Sequence, residues 1–141
     1  MGNLNLESYS EENVELERYL SDSIIGYGVD QLQGKEPIKL LCCFRDSNEK
    51  VVAAIMGSAT LNLFFISHLF VEKNFRNQGL GTKLLSAIES LALDAGCNIL
   101  RLNTFNKEAH QFYLNAGFKE TVCISNYMNG FDLVYYHKKI S

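Results

Sequence analysis

Arg76, Gly79 and Gly81 stand in the spacing Arg-x-x-Gly-x-Gly, where the apolar run Leu69 to Val71 gives way to a helical pattern. A helix start exposes amide N–H groups that have no partner within the helix. They concentrate partial positive charge and bind phosphate well. Glycines there let the backbone approach an anion and adopt conformations that a side chain forbids. Arg76 adds a full charge at the rim. The stretch therefore suits a pyrophosphate, although two glycines also serve to shape a tight turn, and the spacing alone leaves both readings open. Two other phosphate patterns fail. A dinucleotide fingerprint needs a third glycine where Leu84 stands, and a P-loop needs Gly-Lys-Ser/Thr where Gly81 is followed by Thr82 and then Lys83.

The elements around this turn read as a mixed α/β domain of 141 residues, taken as one domain. Leu4 to Tyr9 suits a short first strand, and Ser10 precedes a helical run through Ile25 with Glu11 and Glu12 at its start. Gly26 and Gly28 loosen the chain beyond that run, and Gly34 to Pro37 reads as a loop. "IKLLCCFR" and "KVVAAIMGSAT" are strands joined by a turn, and "LNLFFISHLFVE" is a third, apolar enough to be central and covered on both faces. Leu80, Leu84, Leu85, Ile88, Leu91 and Ala92 step by three and four along an amphipathic helix that Gly96 ends. "NILRLNTF" is another strand, Ala109 to Ala116 a short helix ended by Gly117, and the C-terminal run a hairpin turning at Asn129-Gly130.

Bulk composition narrows the partners. A formal net charge of −3 without a basic run argues against nucleic acid and anionic membranes. No apolar run approaches the ~20 residues that span a bilayer, and no signal peptide is visible at the N-terminus. Cys42, Cys43, Cys97 and Cys123 form no Cys-x-x-Cys pair and have no histidine at ligand spacing, so no metal site is expected, and reduced thiols in a cytoplasmic protein are.

Two motifs in order carry a resemblance. The run from Leu69 through Arg76-x-x-Gly79-x-Gly81 into an amphipathic helix resembles the acyl-CoA-binding motif of the GNAT superfamily of N-acetyltransferases. Downstream, "NKEAHQFYLNAGF" is similar to that family's Asn-x-x-Ala-x-x-Phe/Leu-Tyr-x-x-x-Gly-Phe element, with Asn106, Ala109, Phe112, Tyr113, Gly117 and Phe118 in place. The resemblance implies a mostly antiparallel central sheet with a splayed parallel strand pair and flanking helices. It implies acetyl transfer from acetyl-CoA to a primary amine by direct attack in a ternary complex, without a cysteine acyl-enzyme. A non-catalytic acyl-CoA-binding module is the alternative.

Residue by residue, the resemblance implies that the backbone of Leu69, Phe70 and Val71 pairs with pantetheine like an added strand. Arg76 and the amides of Asn77, Gln78, Gly79, Leu80, Gly81 and Thr82 hold the pyrophosphate. Asn106 contacts the pantetheine arm, a role compatible with capping a helix. Tyr113 gives a proton or hydrogen bond to the departing thiolate; a core aromatic is the other reading. The family often has an acid or histidine on the strand before the turn. Uninterrupted alternation here puts Phe65, Ser67 and Leu69 on one face and Ile66, His68 and Phe70 on the other. Ser67 is then the polar group facing the acceptor, and His68 becomes a base only if a bulge brings it round. The acceptor, a small-molecule or peptide amine, is expected between roughly 24–33 and 125–131, with Tyr27, Tyr127 and Met128 as lining residues. Edge strands of this architecture also suggest a homodimer.

Overall fold

The computed structural model describes residues 2–31 and 36–141, which fall into two units, Met1–Glu36 and Pro37–Ser141. In the first unit, Leu4 to Tyr9 form no strand. A strand persists only where a neighbour takes up its backbone groups, and all six strands of the sheet come from beyond Pro37. Helix α1 spans Val14–Gln31. It starts later than Ser10, because the Asn13 side-chain oxygen accepts from the Leu16 amide at 3.0 Å and caps the first turn. It also runs through Gly26 and Gly28. A glycine costs a helix about 1 kcal/mol but still makes the backbone bonds, so it weakens the helix without stopping it. Of the expected loop at Gly34 to Pro37, Gly34 and Lys35 lie outside the described residues, and Glu36 and Pro37 have no regular structure.

The second unit is a six-stranded sheet. Its strands are β1 (Ile38–Arg45), β2 (Val51–Thr60), β3 (Leu63–Val71), β4 (Ile99–Thr104), β5 (Lys119–Met128) and β6 (Phe131–Lys139), in the order β1-β2-β3-β4-β6-β5. Every pairing is antiparallel except β3 with β4. Helix α2 (Leu80–Asp94) crosses between those two parallel strands and buries Leu84, Leu85, Ile88 and Ala92 against Phe64, Ile55 and Leu100. Each such leucine or isoleucine contributes roughly 1.5–3 kcal/mol through burial. Leu91 is an exception to the expected stripe: it is exposed, and Leu93 packs instead. A short 3-10 turn (Lys107–Ala109) and helix α3 (His110–Asn115) follow β4.

Both helices end in the same way. Gly96 has φ +90° and Gly117 φ +92°, and the amides of Cys97 and Phe118 reach back to the carbonyls of Ala92 and Tyr113. That is the glycine-stopped pattern in which the residue after the glycine packs on the last turn. In α3 the pair is Tyr113 and Phe118, with ring centroids 5.8 Å apart. The spacing Tyr113…Gly117-Phe118 is thus a helix stop that clamps a tyrosine. The C-terminal hairpin turns at Asn129-Gly130, both with positive φ, as expected.

Two features of β3 open the molecule. First, β3 and β4 pair only from Leu63–Ile99 to Phe65–Arg101, although both strands continue. The two strands part beyond that point. Second, Met56 pairs with His68 but Gly57 with Ile66, which leaves Ser67 as an extra residue in β3. One inserted residue flips every side chain beyond it. Phe64 and Ile66 face α2 before the bulge, and Leu69 and Val71 take that face after it, packing on the core. His68 and Phe70 pair with Met56 and Ala54 and so share the opposite face with Phe65, the partner of Ser58. Uninterrupted alternation is therefore overturned: Leu69 does not share the face of Phe65, nor His68 that of Ile66. Coverage of β3 on both faces is overturned too. Phe64 is 0% exposed, but Phe70, past the parting of the strands, is 57% exposed.

Candidate active site

Two clefts open where β3 and β4 part. The larger, about 600 Å3, runs from the start of α2 to α3 and is walled by Leu69 and Val71 on one side and Thr104 and Asn106 on the other. The smaller, about 370 Å3, lies in the gap between the strands and is lined by Ser67, His68, Phe70 and Asn103. Leu69, Thr104 and Tyr113 border both.

At one end of the larger cleft stands the start of α2. Asn77 (φ +63°) and Gly79 (φ +79°) are left-handed, and no side chain caps the helix. The first amides of α2 are left to whatever enters the cleft. A Cβ on Gly79 would meet nothing within 4 Å, whereas one on Gly81 would lie 3.0 Å from the Phe112 ring edge. The two glycines answer different needs: Gly79 supplies a backbone conformation, and Gly81 a close approach to α3. Asn77, Gly79, Leu80, Gly81 and Thr82 all line the cleft; Gln78 lines neither cleft. Arg76 lines it as well, but its Nε donates to the Val71 carbonyl at 2.9 Å and its guanidinium lies 5.8 Å from the Phe70 ring centre. It therefore ties the turn to the end of β3 besides charging the rim.

At the other end, Asn106 lines the cleft, and its side-chain oxygen accepts from the Glu108 amide at 3.0 Å and caps the 3-10 turn. Tyr113 is 8% exposed, and its ring packs on Phe112, Phe118 and Tyr136. Among the described residues its hydroxyl has no hydrogen-bond partner, yet it is not a buried orphan, so it opens toward the clefts. Burial, and secondarily Tyr136, push its pKa above the usual tyrosine value. Tyr136 in turn meets His110 Nδ1 at 2.7 Å.

The bulge settles how Ser67 and His68 stand to each other. The Ser67 hydroxyl donates to the Met56 carbonyl at 3.2 Å and lies 2.9 Å from His68 Nδ1. The hydroxyl has one proton to give, either to the Met56 carbonyl or to Nδ1; in the first arrangement it accepts from Nδ1–H and Nε2 is the basic nitrogen. Sequence reasoning missed Thr104, Glu108 and Phe75 as lining residues. For Thr104 a signal existed, since alternation along β4 puts it on the face of Leu102; Phe75 and Glu108 carry none. Among the described residues, no cysteine lines either cleft, and burial raises the pKa of the Cys42 and Cys97 thiols.

An uncapped helix start thus stands at one end of a parted parallel strand pair, and a tyrosine at the other. The family model for the acetyltransferase (GNAT) family matches residues 4–118, and the chain belongs to that family. It is an N-acetyltransferase of a family that uses acetyl-CoA. An acetyltransferase of Agrobacterium fabrum is 23% identical over 127 residues, covering 90% of this chain and 93% of that protein. A crystal structure from Agrobacterium tumefaciens, provisionally assigned as an acetyltransferase, superposes with a TM-score of 0.88 at 22% identity, covering 97% of this chain and 100% of that one. A provisionally assigned streptothricin acetyltransferase of Bacillus anthracis, solved with acetyl coenzyme A, shares the fold with a TM-score of 0.67 at 18% identity over 76% of this chain and 65% of its own. The mostly antiparallel sheet with one splayed parallel pair is the architecture that the two motifs imply.

Proposed function

We propose that the protein moves an acetyl group from acetyl-CoA to a primary amine by direct attack, with donor and acceptor bound together. The larger cleft suits the donor. The amides of Asn77, Gly79, Leu80, Gly81 and Thr82 and the Arg76 charge hold the pyrophosphate, the backbone at Leu69 and Val71 flanks pantetheine, and Asn106 contacts its amides. The acceptor enters from the gap on the opposite face, beside Ser67 and His68. His68 Nε2 takes the ammonium proton, the free amine attacks the thioester carbonyl and the C–S bond breaks; Tyr113 gives its proton to the leaving thiolate and regains one from the nitrogen, which sheds it as the amide forms. With no cysteine at the clefts, no acyl-enzyme is formed. The family match reaches from residue 4 to residue 118, which supports treating the 141 residues as one functional domain.

The observation that carries this reading is the position of Tyr113: an unpartnered hydroxyl at the junction of the two clefts. The test is incubation with acetyl-CoA and a panel of primary amines, following thiol release. Amine-dependent release is expected. Thermal stabilisation by CoA with no release from any acceptor would favour a binding module instead.

A further inference from the structure

Three rings pack on Tyr113, those of Phe112, Phe118 and Tyr136. Phe112 and Phe118 belong to α3 and its glycine stop, so they move with Tyr113. Tyr136 does not. It stands on β6, paired with Leu102 of β4 and Glu120 of β5, and Leu102 lines the smaller cleft. Of the three rings, Tyr136 is the one that ties Tyr113 to the sheet whose strands wall the clefts. The Tyr113 hydroxyl, without a hydrogen-bond partner among the described residues, is placed by this packing.

Tyr136 is 1% exposed, and its hydroxyl meets His110 Nδ1 at 2.7 Å. A hydroxyl on so deeply buried a residue needs a partner, and among the described residues His110 supplies it. His110 opens α3 and lies three residues before Tyr113, so the two share one face of the helix. Tyr136 therefore grips α3 twice, one turn apart. Its hydroxyl holds the His110 ring, and its own ring packs on Tyr113 with centroids 5.4 Å apart. Six residues are too few for a helix to stand by itself, so tertiary contacts set its orientation. Neither His110 nor Tyr136 lines the larger or the smaller cleft, so what they do for the reaction passes through α3.

Resting on the acid role proposed above for Tyr113, we infer that His110 and Tyr136 are positioning residues for acetyl transfer. Their hydrogen bond fixes how α3 sits on β6, and so holds the Tyr113 hydroxyl at the junction of the two clefts. Neither residue touches donor or acceptor, and neither exchanges a proton with them. A misplacement of about 1 Å at a reacting group costs about 100-fold in rate. A bond remote from the chemistry thus controls turnover through the group it places.

The test measures thiol release from acetyl-CoA well below each variant's melting temperature. The acceptor is the fastest acetylated of propylamine, lysine, spermidine and a short peptide with a free N-terminus. Tyr136→Phe, which deletes the hydroxyl and keeps the ring, and His110→Ala should each lower kcat about tenfold. KM for acetyl-CoA should change less than about twofold. His110→Asn, which sets a hydrogen-bonding atom near the place of Nδ1, should recover most of kcat. In a Tyr113→Phe background, Tyr136→Phe should lower kcat no further, because the group it places is already gone. A bond that only stabilises the fold would lower the melting temperature and leave kcat unchanged, which overturns the inference. So does an equal fall in the Tyr113→Phe background, or a rise in KM for acetyl-CoA that matches the fall in kcat. Should Tyr136→Phe not fold, His110→Ala against His110→Asn decides, and equal kcat in those two overturns the inference. In each of these cases the proposed function stands. Full turnover in Tyr113→Phe removes the acid role and the inference with it, and no release with any of the four amines removes the proposed function as well.

Discussion

The ring edge of Phe112 lies 3.0 Å from the point where a Cβ on Gly81 would project. The two sequence motifs therefore meet: a glycine in the first turn of α2 leaves room for an aromatic residue of α3, and Tyr113 comes directly after it. The two ends of the larger cleft are joined by this contact.

Gly81→Ala tests it. Alanine favours a helix over glycine by about 1 kcal/mol, but crowding a packed contact costs roughly 1–3 kcal/mol. The Phe112 ring must yield by a few tenths of an ångström, so a small net loss of stability and a several-fold higher KM for acetyl-CoA are expected. Adding Phe112→Leu should relieve both. Additive losses in the double variant, measured by thermal melts and initial rates, would contradict the contact's importance.

Gly79→Ala should behave differently. Nothing in the protein lies within 4 Å of its Cβ position, so the penalty is conformational, from φ +79°. A left-handed non-glycine residue costs of order 1 kcal/mol. Gly79→Asn, which tolerates that conformation, should recover much of the stability lost in Gly79→Ala. Equal melting temperatures for the two variants would count against this account.

Tyr113→Phe should lower kcat by about 100–10,000-fold, the range of general acid catalysis, with little change in affinity for CoA. Parallel loss of both would indicate a structural role only. The pH dependence has a definite sign. The folded state holds the Tyr113 proton more tightly than the unfolded chain does, because burial raises its pKa above 10.0. Its contribution to stability is complete below the unfolded value of ~10 and is lost as pH rises through the raised value. Melting temperature should therefore fall above pH ~10, and less steeply in Tyr113→Phe.

Ser67→Ala removes the hydroxyl that lies 2.9 Å from His68 Nδ1 and orients the ring. About a tenfold fall in kcat is expected, with KM for acetyl-CoA held, and His68→Gln should fall further. If Ser67→Ala retains full turnover while His68→Gln does not, the serine has no part in orienting the base.

Gly57→Ala addresses the bulge. A Cβ there would lie 2.3 Å from the Phe65 carbonyl oxygen and 2.5 Å from the Phe64 ring. The obstacle includes backbone, which cannot swing aside. A destabilisation of several kcal/mol, at the upper end of single-residue effects, should appear in denaturant melts. A near-neutral result would mean the crossing of β2 and β3 is more adaptable than its register suggests.

The sequence by itself determined the elements and their order in the second unit, the two motifs, and the helix stops at Gly96 and Gly117. These depend on local chemistry: periodicity of apolar residues, glycine's access to positive φ, and the pairing of Tyr113 with Phe118 around a helix end. It failed where the answer depends on a distant partner. Leu4 to Tyr9 alternate like a strand, but no neighbour pairs with them. The faces of β3 were misread because Ser67 is an extra residue only relative to Met56 and Gly57 on another strand, and no pattern within β3 announces it. The meeting of Phe112 with Gly81 was likewise decided by tertiary structure, and the parting of β3 from β4, expected only through the resemblance, takes its extent from it. Each is a relation between segments far apart in the chain, set by how strands register and pack rather than by any one segment's composition.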